Sequence, residues 1–229
     1  MRATAIIPVK RFRAAKQRLL ETLDSAQRTA LVEAMLTDVL GSVTACDAVE
    51  RVIVVTGERR AERIALRQAQ RATTPLEVLR EPADTGHSDA ATLGIIRAKA
   101  LGADCVALLP GDCPLLDSVE LDAAIRRMAG GRVAVVPDRH GTGTNALLLS
   151  PPDAIGPAFG PGSCARHAER GRAAGHEVAV EALGSLGPDV DTPDDLTQVA
   201  AALERDPSRA EATAAYLAGL DLPKHRARA

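Results

Sequence analysis

Short apolar runs alternate with stretches of helical periodicity along nearly all of this 229-residue chain, and that alternation restricts its fold more than any other feature. Strands are predicted over 3–9, 52–56, 76–79, 105–109, 133–137, 145–149 and 178–181. They are rich in Val, Ile, Leu and Ala, as strands covered on both faces are. Helices are predicted over 25–41, 58–70, 89–101, 117–129, 163–174 and 193–204. Leu31, Met35, Leu36 and Val39 form one apolar stripe at helical spacing. Thr192 suits an N-cap, with Pro193 in the first helical position. The alternation predicts a three-layer α/β domain with a mostly parallel sheet. The hairpin-like succession of 133–137 and 145–149 makes that sheet mixed. The domain is expected over 1–204, with 205–229 as an added helix and a solvated basic tail, Lys224-His225-Arg226-Ala227-Arg228.

Composition excludes several classes of function. Lys plus Arg is 28 and Asp plus Glu is 30, so the net charge of −2 gives no support to bulk binding of nucleic acid or membrane surfaces. The aromatic residues are Phe12, Phe159 and Tyr216, too few for a base-stacking platform. No apolar run approaches the roughly 20 residues that span a bilayer. The N-terminus lacks the pattern of a signal peptide. Cys46, Cys105, Cys113 and Cys164 form no C-x-x-C pair and read as reduced thiols of a cytoplasmic protein, not as a zinc site.

The first strand breaks at Pro8 into a basic segment carrying Lys10, Arg11, Arg13, Lys16 and Arg18. Ligands of open α/β sheets bind beyond the carboxyl ends of strands, where this segment begins. Neither a Walker loop nor a G-x-G-x-x-G is present. Positive charge at a helix start opposes the macrodipole and calls for an anion, so Lys10 and Lys16 are candidates for polyphosphate contact. Asp112 follows the strand at 105–109 inside Pro-Gly-Asp-Cys-Pro, where Gly111 permits a tight turn and Pro114 ends a central strand. Asp189 and Asp191 are two apart, so in extended chain they project to one face and can share a cation. Asp194 and Asp195 fall in the first turn of the next helix and read as cap charges. Separated carboxylates with lysines suit a divalent metal that bridges phosphates, and hence phosphoryl or nucleotidyl transfer.

Two further segments read as anion cradles. Arg139-His140-Gly141-Thr142-Gly143-Thr144-Asn145 is glycine-rich and leads into a strand. Phe159-Gly160-Pro161-Gly162-Ser163 ends at a helix start with Ser163 as its expected N-cap. Arg166 and His167 then fall in the first turn, where an anion would compensate them. His140 and His167 are candidate orienting groups.

These motifs, from Pro8-Val9-Lys10 and Ala15-Lys16-Gln17-Arg18-Leu19 through Leu-Pro-Gly-Asp-Cys-Pro-Leu, Gly-Thr-Gly-Thr-Asn and Phe-Gly-Pro-Gly-Ser-x-x-Arg-His to Asp-Val-Asp-Thr-Pro-x-Asp-Leu, occur in order from residue 4 to about 204. In that order the chain resembles the 2-phospho-L-lactate or phosphoenolpyruvate guanylyltransferases of deazaflavin coenzyme F-420 biosynthesis. The resemblance implies a Rossmann-like nucleotidyltransferase fold, GTP, Mg²⁺ and a small phosphoacid acceptor. It implies metal ligation by Asp112, Asp189 and Asp191. It implies nucleotide contact by Pro8, Val9, Lys10, Lys16, Gly86 and Asp89, and acceptor contact by Thr144, Gly160 and Ser163. Lys10, Lys16 and Asp112 are the implied catalytic groups. Asp89 stands where the family usually has Asn; a carboxylate there is able to accept from guanine N1–H and N2–H₂.

Phosphoenolpyruvate is the favoured acceptor, with 2-phospho-L-lactate beside it and 3-phospho-D-glycerate as an alternative that needs a further polar partner, His140 or Asn145. Rival readings are a molybdenum-cofactor or sugar-phosphate nucleotidyltransferase, which needs a roomier acceptor site, and a nucleotide-binding regulatory protein, which should lack a metal carboxylate. The oligomeric state stays open, a homodimer being one reading.

Overall fold

The computed structural model describes residues 1–12, 16–81, 86–187 and 189–220. Arg13, Ala15, Asp84, Thr85, Pro188 and the basic tail at 224–228 lie outside the described residues. In chain order the elements are β1 (Ala3–Val9), α1 (Ser25–Thr44), β2 (Val49–Thr56), α2 (Arg59–Ala69), β3 (Leu76–Arg80), α3 (His87–Ala100), β4 (Cys105–Leu108), α4 (Ser118–Arg126), β5 (Arg132–Pro137), β6 (Thr144–Leu149), α5 (Ser163–Ala173), β7 (Glu177–Val180), α6 (Pro193–Arg205) and α7 (Glu211–Ala218). Each predicted strand and helix is present, displaced by a few residues at its ends. β2 begins earlier than its apolar run because Glu50 and Arg51 at its entry are solvent-facing positions of the same strand. α4 stops at Arg126, short of the predicted 129.

Among the described residues seven strands form one sheet in the order β3-β2-β1-β4-β6-β5-β7. β1 pairs in parallel with β2 and β4, and β2 with β3. β6 is antiparallel to both β4 and β5, while β5 and β7 are parallel. The expected mixed, mostly parallel sheet is therefore present, and the hairpin of β5 and β6 is what makes it mixed.

β1 is buried along its whole length, and its alternate side chains enter two cores. Ala5 and Ile7 pack with Leu31, Met35, Leu36 and Val39 of α1 on one face. Ile6 packs with Ala91 and Ile95 of α3 on the other. Two cores on opposite faces of one sheet are what a period of two requires of a central strand. All four cysteines are free and buried. Among the described residues no helix is long and apolar enough to cross a membrane.

This topology positions one edge. β1, β2, β3 and β4 run in parallel and deliver their carboxyl ends there, and antiparallel β6 starts there, with Thr144 paired to Pro137 at the end of β5. Every residue nominated from the sequence for chemistry sits in a loop or element end at that edge, or beside it.

Candidate active site

A cavity of about 140 Å³ opens beyond β1, lined by Pro8, Lys10, Lys16, His87, Gly111 and Asp112 among others. A larger groove of about 830 Å³ lies between α6 and α7, and none of the nominated residues lines it. Of the nominated residues, Pro8, Val9, Lys10, Lys16 and Asp112 line the smaller one.

The backbone leaving β1 is fixed first. The Thr56 hydroxyl donates to the Val9 carbonyl (2.8 Å), and the Phe12 N–H donates to Glu58 Oε2 (3.3 Å). Phe12 is buried, which anchors the basic segment to the core. Lys10 pairs with the buried Glu81 at 3.8 Å. Gly111 lets the next loop approach: a Cβ there would stand 3.3 Å from Leu36 Cδ1 and 3.6 Å from Ile7 Cγ2.

Lys16 holds the centre of the site. Its backbone adopts φ 57°, ψ 39°, the left-handed region that L side chains enter at a cost, and it precedes a short 3-10 turn at Gln17–Leu19. Its ammonium is buried and bonds to Asp112 Oδ2 and, at 2.8 Å, to Asp191 Oδ1. Burial opposes the charge, yet the two carboxylates together hold the lysine above its ordinary pKa. The same pairing outweighs burial at Asp112 and keeps that carboxyl below its usual range. At Asp189 burial, Asp112 and Asp191 act together and raise the carboxyl.

Asp189 and Asp191 are held by the entry to α6. Thr192 is the N-cap, as the sequence indicates, and forms a capping box with Asp195. The Asp195 carboxylate also accepts the N–H groups of Asp191 (3.0 Å) and Thr192 (2.6 Å) and pairs with Arg139. Asp195 is thus more than a charge at the helix start. It fastens the aspartate segment to the loop before β6.

Mg²⁺ suits these donors in part. Asp112, Asp189 and Asp191 offer hard oxygens, and burial together with repulsion from its two neighbours, both of which a bound cation would offset, raises the Asp189 carboxyl. They are not gathered as a finished cluster, since among the described residues no three His, Cys, Asp or Glu groups stand in metal-holding array. A lysine ammonium stands between two of the three.

Of the residues expected at the nucleoside, Gly86 caps α3 with φ 127°, a conformation open to glycine. Asp89 is exposed in the first turn of α3 and does not line the cavity. His87 does, and sequence reasoning missed it. Burial, with Lys10 nearby, lowers its pKa. Glu81, the partner of Lys10, was missed as well. A lone Glu after a short strand carries no spacing signal.

The acceptor side differs most from expectation. The N-cap of α5 is Gly162, with φ 71°, and Ser163 is the first helical residue with no capping bond. The reason is the turn itself: Ser163 N–H bonds to Gly160 O (3.0 Å) and Cys164 N–H to Thr142 O (3.1 Å). Two of the expected anion donors therefore have backbone partners. The glycine-rich loop is likewise turned inward, because Asp138 Oδ1 accepts from His140 N (3.2 Å) and Thr142 N (2.9 Å). Arg166 needs no anion either; its guanidinium donates to the carbonyls of Ala158 and Pro161. Asn145 Nδ2 donates to Leu186 O at 2.6 Å. His140 is exposed and bonds to Arg139 Nε at 3.1 Å.

What remains at this end is a cluster of side chains. Ser163 Oγ lies 3.0 Å from Thr144 Oγ1, which lies 3.0 Å from Nδ1 of the fully buried His167. Phe159 stands edge-on to both His167 and His87, with ring centroids 5.3 Å and 4.7 Å apart. That row of rings joins the hydroxyl and imidazole cluster to the cavity lined by Asp112.

A sheet of this order, with lysines and separated aspartates at its carboxyl edge, defines a nucleotidyltransferase. The fold is shared with a putative nucleotide-diphospho-sugar transferase from Desulfovibrio desulfuricans G20, at a TM-score of 0.74, 19% identity and 95% coverage of both chains. It is shared also with 4-diphosphocytidyl-2C-methyl-D-erythritol synthase from Anaerococcus prevotii, at a TM-score of 0.64 and 12% identity over 89% of this chain and 96% of that one. Residues 3–210 match the family described as guanylyl transferase CofC like, and the chain belongs to that family. It is 44% identical over 198 residues to the phosphoenolpyruvate guanylyltransferase of Conexibacter woesei, covering 86% of each chain. It is 38% identical over 202 residues to the 3-phospho-D-glycerate guanylyltransferase of Phenylobacterium zucineum, covering 86% of this chain and 89% of that one.

Proposed function

We propose that this protein transfers GMP from GTP to the phosphate of phosphoenolpyruvate, with release of pyrophosphate, in deazaflavin coenzyme F-420 biosynthesis. The observation that carries the reading is the buried Lys16 ammonium, set between Asp112 and Asp191 beside Lys10 at the carboxyl edge of the sheet. A cation taken up by the aspartates would release the Lys16 ammonium from them, and cation and lysines together would meet a triphosphate. Pro8, Val9 and Gly86 border the nucleoside, while Lys10 and Lys16 hold phosphate oxygens; Asp89, exposed and outside the cavity lining, is left out of the nucleoside contact. Asp112, Asp189 and Asp191 would hold Mg²⁺, which when bound neutralises charge on the phosphates.

Thr144 and Gly160 orient the acceptor, with the buried Ser163 behind Thr144. One of its phosphate oxygens attacks the α-phosphorus of GTP. A new P–O–P bond forms, the bond to the β-phosphate breaks, and its electron pair leaves on pyrophosphate. A phosphomonoester is already largely ionised at neutral pH, so the site needs no general base. Its task is alignment and charge neutralisation.

The choice of acceptor is supported by the 44% identical phosphoenolpyruvate guanylyltransferase of Conexibacter woesei. 3-Phospho-D-glycerate carries a further hydroxyl; of the partners named for it, the Asn145 amide N–H is already engaged by Leu186 O, which leaves the exposed His140. A shorter phosphoacid needs no such partner. Pyrophosphate release with GTP should be fast with phosphoenolpyruvate, slower with 2-phospho-L-lactate and slowest with 3-phospho-D-glycerate. Preference for the last overturns the assignment. Asp112→Asn should melt near the parent and lose most turnover at saturating Mg²⁺. Full activity in that variant rules out Asp112 as a ligand.

A further inference from the structure

His167 is wholly buried and takes no part in the chemistry above. Its surroundings nevertheless determine where three protons lie. The backbone N–H of Ala158 stands 2.8 Å from Nε2. A backbone N–H only donates, so Nε2 accepts, and the neutral ring carries its proton on Nδ1. Nδ1–H then donates to Thr144 Oγ1 at 3.0 Å.

Thr144 and Ser163 bring two hydroxyl protons to one contact of 3.0 Å. One proton makes that bond and the other is left over. Were it on Ser163, it would sit on a fully buried residue whose side chain has no other partner among the described residues. An unmet buried donor is costly. Thr144 is only partly buried, at the start of β6. The chain therefore runs from Ser163 to Thr144, and the surplus proton stands on Thr144 and points out of the cluster.

We infer that His167 is a positioning residue that fixes Thr144 as an outward hydrogen-bond donor to a carboxylate or phosphate oxygen of the acceptor; this rests on the acceptor reading of Thr144 given above. With the first amides of α5 turned to Gly160 and Thr142, a hydroxyl with assigned polarity supplies part of what the helix end does not. Burial, with Arg166 and Arg170 nearby, lowers the His167 pKa to about 4, so the ring stays neutral where the enzyme works.

The test joins a tautomer measurement to kinetics. Nitrogen-15 NMR of the wild-type imidazoles, with His167 identified by its loss in His167→Phe, should show a protonated Nδ1 and a bare Nε2. A proton on Nε2 overturns the inference. His167→Phe keeps a flat ring against Phe159 and removes both nitrogens. It should raise the acceptor KM at least tenfold and leave the GTP KM within twofold. His167→Asn returns an N–H donor near the Nδ1 position and should recover most of the loss. Thr144→Val should match His167→Phe, and the double variant should be no worse than either alone. Additive losses, or an unchanged acceptor KM in Thr144→Val, overturn the positioning role even if His167→Phe fails to fold. A protonated Nδ1 together with a raised GTP KM and an unchanged acceptor KM keeps the proton order and overturns the acceptor reading.

Discussion

Lys16 shows how far a residue can be read without its neighbours. Its candidacy rested on positive charge after a first strand, and its side chain lines the cavity beyond β1. Its partners there are Asp112 and Asp191, which the sequence assigned separately to a metal. Nothing in spacing reveals that residues nearly a hundred or more positions apart share one ammonium. Lys16→Ala removes the proposed phosphate contact and two ion pairs whose carboxylates keep partial solvent access. Losing a charge-assisted contact costs roughly 1.5–3 kcal/mol, so the GTP KM should rise about one to two decades with the acceptor KM little changed. An unchanged GTP titration would reduce the loop to a basic surface. His167 supplies a second residue-level expectation. Its folded pKa of about 4 lies below the ordinary histidine value, so the unfolded chain binds the proton first as pH falls. Its contribution is complete above about pH 6.5 and is lost on descent toward 4, by roughly 3 kcal/mol in all. Urea unfolding from pH 7 to 4.5 should show a slope that is smaller in His167→Asn.

At the scale of elements, the strands and helices were legible because burial on both faces and helical periodicity write themselves into composition. The loops were less so. Thr192 and Pro193 announced the start of α6 correctly, since a cap is a local matter of a few residues. Ser163 announced a cap that the chain does not use, because the turn through Gly160 and Gly162 and the bond from Cys164 N to Thr142 O decide that helix end. Asp138, with no motif of its own, fills the glycine-rich loop as an internal anion. A short polar side chain that bonds to nearby N–H groups competes with any ligand for them. The α6 cap does double service, since Asp195 binds the Thr192 hydroxyl and the Asp191 backbone together. Thr192→Ala should therefore cost about 1 kcal/mol in stability and lower turnover as well. Chemical denaturation beside a guanylyl-transfer assay checks both. A stability loss with unimpaired turnover would show that the cap does not place the aspartate.

The molecule as a whole separates two jobs. The parallel strands β1 to β4 and their loops carry Lys10, Lys16 and Asp112, while β6 and α5 carry Thr144 and Ser163, and the reversed direction of β6 brings its first residue to the carboxyl edge of the others. The C-terminal helix stands apart from both. α7 is tied to α1 by Asp38, whose carboxylate accepts from Ala212 N (3.0 Å), Thr213 N (2.7 Å) and Thr213 Oγ1 (2.6 Å). The Tyr216 hydroxyl donates to Gln27 O at 2.8 Å on the same seam. Thr213 is fully buried, so removing the carboxylate leaves its hydroxyl and amide without their acceptor. Asp38→Ala should cost about 2 kcal/mol, which lowers the melting temperature by about 4–8 °C in a chain of this size. None of these groups lines the cavity beyond β1. Both KM values should therefore hold within about twofold below the new melting transition, a shift in stability without a shift in recognition. Calorimetry and two-substrate kinetics on the one variant decide it. A rise in either KM would mean that α7 reaches the site through α1, whose Val32 and Leu36 also line that cavity.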